Sequence, residues 1–215
     1  MILSVGRRYV FIHIPKTGGT SMALALEARA MKDDIMLGDT PKALKRRGRV
    51  KGAATAGRLW KHSTLADIDG LVPEDTLSGL FTFTLVRNPW DRVVSYYHWL
   101  QVQGFDHPAI ALAKTLDFEG FLLHPTTQTA LRNSPASSYM TDAQGKERCD
   151  AYIRLEHFAE DVAPLEAHLG FGLNLPRENR SERVPYQDVY TPKLRDLVGA
   201  LCASDIARFG YRFEV

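Results

Sequence analysis

The chain has 215 residues, 45% of them hydrophobic and 24% charged, and carries a formal net charge of only +2. That length suits one domain with a sizeable core, and the balance excludes fibrous, disordered and membrane-embedded classes. The charge is uneven, because ten Lys/Arg (29, 32, 42, 45, 46, 47, 49, 51, 58 and 61) face three Asp (33, 34 and 39) between Arg29 and His62, about +7 locally.

Reading from the N-terminus, no charged-then-apolar leader precedes the first strand, and no apolar run approaches the length of a membrane span. The expected compartment is cytoplasmic, with peripheral membrane association left open. Tyr9 to Ile14 is a β-branched and aromatic strand that ends at Pro15. Lys16-Thr17-Gly18-Gly19-Thr20-Ser21 is a loop, and Met22 to Ala28 a helix of strong helix formers. The basic, Gly-rich stretch from about 38 to 60 reads as a loop or short irregular helix inserted in the domain. Its charge suits either an anionic partner or a solvated face.

Leu80 to Val86 is the second strand, and Pro89 opens a helix over Trp90 to Leu100. Short helices are expected at 106–114 and 118–123, and a loop at 125–145. Ala151 to Leu155 is a third strand, followed by a helix over Phe158–Leu169 that ends at Gly170. A polar loop over 175–190 leads to a final helix to about Phe209, with Thr191 as its N-cap and Pro192 at its first position. Strands alternating with helices predict an α/β domain, a parallel β-sheet flanked by helices on both faces. Cys149 and Cys202 lie in neither a CxxC pair nor a metal-ligand spacing and read as reduced structural residues.

The turn at 15–21 has the makings of an anion site. A strand that breaks into Gly-Gly and then a helix leaves unpaired backbone N–H groups at the positive end of the helix dipole. Gly18 and Gly19 allow close backbone approach, Lys16 adds a full charge, and Thr17, Thr20 and Ser21 add hydroxyl donors. Because Lys16 precedes the glycines, this is not a GxxxxGK[ST] loop, and nothing calls for a metal. The second strand ends in a comparable turn, Arg87-Asn88-Pro89-Trp90-Asp91-Arg92-Val93-Val94-Ser95. Arg87 offers a planar fork to a phosphate, the lesser alternative being that it merely pairs with Asp91.

The segment Ile12-His13-Ile14-Pro15-Lys16-Thr17-Gly18-Gly19-Thr20-Ser21 resembles the phosphosulfate-binding loop of sulfotransferases that use 3'-phosphoadenosine-5'-phosphosulfate (PAPS), most closely the carbohydrate-type branch. Leu85 to Tyr97 resembles the 3'-phosphate motif of that family. Tyr152 to Glu156 and the C-terminal segment from Tyr190 resemble it with less specificity. Ala136 stands where relatives often carry Gln, which bears on acceptor contacts rather than the cofactor. The resemblance implies a P-loop-NTPase-like fold, PAPS as co-substrate with no metal required, and transfer of a sulfuryl group to a hydroxyl, foremost on a carbohydrate. It implies cofactor contacts from Lys16, Thr17, Gly18, Gly19, Thr20 and Ser21 at the 5' end and from Arg87 and Ser95 at the 3' end. Lys16 would also stabilise the leaving oxygen, and a late basic loop would bring Arg183 to the 3'-phosphate.

A general base with a pKa near working pH favours histidine. His62 is the first candidate, between the two turns and ahead of a helix-like stretch. His13 reads better as a core histidine. Glu156 suits a base or an ion pair with Arg154 or Arg180. The competing readings are a P-loop-like nucleotide kinase and a non-catalytic nucleotide- or glycan-binding module. The run at 42–51 lacks interleaved aromatics, so no nucleic-acid partner is expected. Oligomeric state stays open.

Overall fold

The computed structural model describes residues 1–176 and 184–213. β1 (Ile2–Ser4) and β2 (Tyr9–Ile12) form an antiparallel hairpin in which Ile2 faces Phe11 and Ser4 faces Tyr9. Helix α1 (Gly19–Glu27) follows, and β3 (Ile35–Met36) then pairs antiparallel with β1. The basic stretch forms α2 (Pro41–Arg46), continued by a 3-10 turn over Arg47–Val50. After α3 (Glu74–Ser78) come β4 (Phe81–Val86) and the long α4 (Pro89–Gln101). Four short helices succeed it: α5 (Pro108–Thr115), α6 (Phe118–Leu123), α7 (Pro125–Arg132) and α8 (Ala136–Tyr139). β5 (Ala151–Arg154), α9 (Phe158–Asp161), α10 (Ala163–Leu169), α11 (Pro192–Leu201) and α12 (Ala203–Phe209) complete the chain.

Chain contacts divide these elements into two compact units. Among the described residues, one comprises 1–86 and 136–176, the other 87–135 and 184–213. The first holds the five-stranded sheet, in the order β3-β1-β2-β4-β5. β2, β4 and β5 run parallel, with Ile12 opposite Thr84 and Val86 opposite Arg154, so the chain leaves all three at the same edge. Alternation sorts the side chains. Tyr9, Phe11, Phe83, Leu85 and Ile153 share one buried cluster with Met22 and Leu26 of α1 and Leu165 of α10. Val10 and Ile12 share another with Leu65, Ile68, Leu77 of α3 and Met140. Each fully buried side chain of this size contributes roughly 1.5–3 kcal/mol.

The sheet is mostly parallel and flanked by helices, as expected, with one exception. β1 is antiparallel, because Val5 to Arg8 reverse the chain at once and Arg8 takes φ 56. The hairpin and the two-residue β3 are too short to stand out as periods. Residues 125–132 were expected as loop but form a helix. Pro125 occupies its first turn, where the missing N–H costs nothing, and the Nδ1 of His124 accepts from Thr126 N at 3.2 Å. The expected helix at 158–169 breaks after Asp161, and the last helix breaks at Cys202 (φ −109).

In the second unit α4 packs against α5 and α11. Its start is fixed by Asn88, whose Oδ1 accepts from Trp90 N at 3.1 Å while its Nδ2 donates to Arg212 O at 3.0 Å. Thr191 caps α11 as expected, accepting from Leu194 N at 3.3 Å. Among the described residues no helix is long and apolar enough to cross a membrane.

Candidate active site

The loop between β2 and α1 is built around its glycines. Gly18 is the N-cap of α1 at φ 87, a left-handed conformation that disfavours any side chain, and a β-carbon there would meet Leu155 Cδ1 at 2.8 Å. Gly19 is required for a different reason, since a β-carbon would fall 2.0 Å from Cδ2 of the His13 ring. Lys16, which is no glycine, also adopts φ 66. That backbone costs about 1–2 kcal/mol, the sort of strain that collects at functional loops. No side chain caps α1 and no acid occupies its first turn, so the N-terminal amides and the dipole favour an anion. Ser21 is buried and Thr20 exposed in that first turn. Thr17 departs from expectation, because its buried hydroxyl donates to Ile14 O at 2.9 Å. It braces the loop, and only its backbone N–H serves the anion-site reading.

The structure brings His62 to this loop from 49 residues away, its Nδ1 lying 2.7 Å from His13 O. A carbonyl only accepts, so Nδ1 carries the proton and Nε2 keeps its lone pair. The two imidazoles meet edge to face at 4.6 Å. Burial, reinforced by the Lys61 charge and opposed by the His13 carbonyl, pushes the His62 pKa down to about 4. The expectation of a pKa near neutrality is thereby corrected, since desolvation disfavours the imidazolium. The helix expected after His62 is a run of turns over 65–70.

His13 itself is buried and stacks on Phe11 at 5.9 Å, with its pKa pushed well below the ordinary value by burial and neighbouring charges. It matches the core-histidine reading, and its ring also closes against the Gly19 backbone.

The turn after β4 belongs to the second unit. Arg87 donates through Nε and Nη2 to Asp91 Oδ2 at 2.8 and 2.5 Å, so the pairing anticipated from sequence is formed and sets the plane of the guanidinium. Ser95 is buried two turns into α4. Tyr190 donates to Trp90 O at 2.9 Å, and the Trp90 indole donates to Arg195 O at 2.9 Å, so the start of α4 is held at several points.

Of the remaining candidates, Glu156 lies in the exposed 3-10 turn after β5. Arg154 is held bidentately by Asp161 at 2.7 and 2.8 Å, a partner not anticipated, and this guanidinium lowers the Asp161 pKa. Arg180 and Arg183 lie outside the described residues. No cluster of three or more metal-ligating side chains occurs among the described residues. Sequence reasoning passed over Ser63, a buried hydroxyl that accepts from Trp60 N at 2.8 Å and organises the loop carrying His62. Nothing in a lone serine signals that role.

The family model described as "Sulfotransferase family" matches residues 6–212, nearly the whole chain. The chain belongs to the sulfotransferase family and is an enzyme of sulfuryl transfer. Among solved structures it is similar to mouse sulfotransferase SULT7A1 complexed with PAP, with 16% identity over 93% of this chain and 84% of that one and a TM-score of 0.46. A search of curated proteins found no match.

Proposed function

We propose that the chain transfers a sulfuryl group from PAPS to a hydroxyl, foremost one on a carbohydrate. The observation that carries this reading is the loop from Lys16 to Ser21. An uncapped helix start, a left-handed Gly18, a strained Lys16 and the absence of any acid in the first turn together suit a phosphosulfate. When bound, PAPS supplies the activated sulfuryl group and a bisphosphate leaving group.

Within this reading the backbone N–H groups of residues 17–21 hold the 5' end, with Thr20 and Ser21 adding hydroxyl donors. Lys16 neutralises the bridging oxygen as charge develops there, a role that is mostly electrostatic. Arg87 and Ser95 hold the 3'-phosphate, and Asp91 fixes the fork of Arg87. Arg183, outside the described residues, is proposed to add to the same phosphate. His62 takes the acceptor proton on Nε2. The acceptor oxygen forms the new S–O bond while the bond from sulfur to the bridging phosphate oxygen breaks, and that electron pair leaves with adenosine 3',5'-bisphosphate. A pKa of about 4 keeps the ring ready to accept a proton across the neutral range, and the anionic sulfuryl and phosphate oxygens favour the imidazolium as it forms.

Calorimetric titration with adenosine 3',5'-bisphosphate in EDTA, beside magnesium-ATP, tests the reading. Micromolar bisphosphate binding, weakened by Lys16→Ala and by Arg87→Ala, is expected. A preference for magnesium-ATP would replace it with the kinase-like reading.

A further inference from the structure

We infer that Trp60 and Arg58 select the acceptor: the Trp60 indole carries the ring of the acceptor, and the Arg58 guanidinium pairs with an anionic substituent on that ring. This rests on the reading of His62 as the base.

Trp60 is 43% exposed, unusual for the largest apolar side chain, and its ring stands edge to face with His62 at a centroid distance of 5.0 Å and an angle of 84°. Its backbone is fixed. The Ser63 hydroxyl, 0% exposed, accepts from Trp60 N and lies 2.8 Å from Arg58 O and 3.0 Å from Trp60 O as its two acceptors. Just beyond, Thr64 and Asp67 bond reciprocally, Thr64 N to Asp67 Oδ2 at 2.8 Å and Asp67 N to Thr64 Oγ1 at 3.1 Å. An indole held by a rigid loop toward solvent, beside the group proposed to take the proton, is a preformed platform. The C–H face of a pyranose fits such a surface and brings a ring hydroxyl toward Nε2.

The charge follows from position, since Arg58 is the cation of the basic stretch that lies over the Trp60 ring. Four other cations of that stretch are engaged elsewhere. Lys42 Nζ donates to Glu27 O at 2.6 Å, Arg46 to Met31 O at 2.8 Å and Arg49 to Lys32 O at 2.5 Å. Lys61 pairs with Asp39 at 2.6 Å. Arg58 is exposed, sits 5.6 Å over the Trp60 ring, and has no carboxylate partner among the described residues. It is the cation that adjoins both the indole and, through it, His62, and its fork suits a carboxylate.

The test compares two probes, a glucuronate-containing oligosaccharide and the same oligosaccharide after reduction of its carboxyls to hydroxymethyl groups. Transfer of radiolabelled sulfate from PAPS is measured for the wild type, Trp60→Ala, Trp60→Phe and Arg58→Gln, with adenosine 3',5'-bisphosphate affinity measured in parallel. Trp60→Ala should raise KM about tenfold for both probes, and Trp60→Phe should restore most of that. Arg58→Gln should raise KM about tenfold for the carboxylated probe and leave the reduced one alone. An acceptor KM indifferent to Trp60→Ala overturns the inference, as does an equal effect of Arg58→Gln on both probes. So does a wild type that binds the bisphosphate yet transfers to neither sugar. A wild type that does not bind the bisphosphate overturns the donor reading itself, and this inference with it.

Discussion

The imidazole of His13 occupies the place where a β-carbon on Gly19 would sit, 2.0 Å from the ring Cδ2 and 2.3 Å from Nε2. The glycine thus lets the loop close on a buried histidine, in addition to leaving the backbone open to an anion. Gly19→Ala is expected to lower stability by about 1–3 kcal/mol and to weaken bisphosphate binding, because either the loop or the ring must move. Combining it with His13→Ala should cost clearly less than the two single changes together. Urea denaturation of the four proteins of that cycle reads the coupling, and strict additivity would show that the ring is not what Gly19 accommodates.

The depressed pKa of His62 has two consequences of known sign. The native state binds the proton less tightly than the unfolded chain, so stability is fully present above about pH 6.5 and is lost as pH falls toward about 4. The whole effect is at most about 3 kcal/mol. For catalysis, the acid limb of kcat/KM should lie well below that of an ordinary histidine, with activity flat down to about pH 5. His62→Gln should abolish most turnover and make the stability profile shallower between those limits, the remaining slope coming from buried His13, whose pKa is also depressed. An acid limb centred near pH 6.5 in the wild type would contradict this environment.

Arg87 and Asp91 form an i,i+4 ion pair on a half-buried surface. The pair gives the guanidinium a fixed plane, which a lysine cannot reproduce. Arg87→Lys is expected to weaken adenosine 3',5'-bisphosphate binding about tenfold or more while leaving the melting temperature within a few degrees, as calorimetry and thermal denaturation would record.

The basic stretch is tied down by a buried acid. Glu27 accepts from Thr40 Oγ1 at 2.5 Å and from Lys42 N at 3.0 Å, so the last residue of α1 caps the start of α2. Glu27→Ala should cost about 2–3 kcal/mol, since it strands one buried and one partly buried donor, and should expose residues 41–51 to limited proteolysis. Thr40→Val should cost about 1 kcal/mol. Equal effects of the two would mean that the backbone amide contributes nothing.

Much of this was written locally. Tyr9–Ile12 is a β-branched and aromatic run, Phe81–Thr84 alternates, Lys-Thr-Gly-Gly breaks the first strand, and Asn88-Pro89 opens the helix after the second. Such patterns are legible because strand pleat, glycine φ and proline φ act within a few residues. The short β1 and β3 were not, since a strand of two or three residues has no period of its own and exists only through its neighbour. The helix at Pro125–Arg132 was missed because proline breaks a helix interior but suits a first turn, and its cap, a histidine, is not a usual one.

By itself the sequence determined the family, the α/β class and the position of the Lys16–Ser21 loop, all of which depend on contiguous residues. The tertiary structure decided what those residues face. It set Gly19 against His13, spent the Thr17 hydroxyl on Ile14, gave Asp161 to Arg154, and placed Trp60 beside His62 with Nδ1 of that histidine on the His13 carbonyl. These depend on which backbones are brought within a few ångströms, in the case of His62 across 49 residues, and on how much water packing removes. Neither quantity is a property of any short stretch of chain.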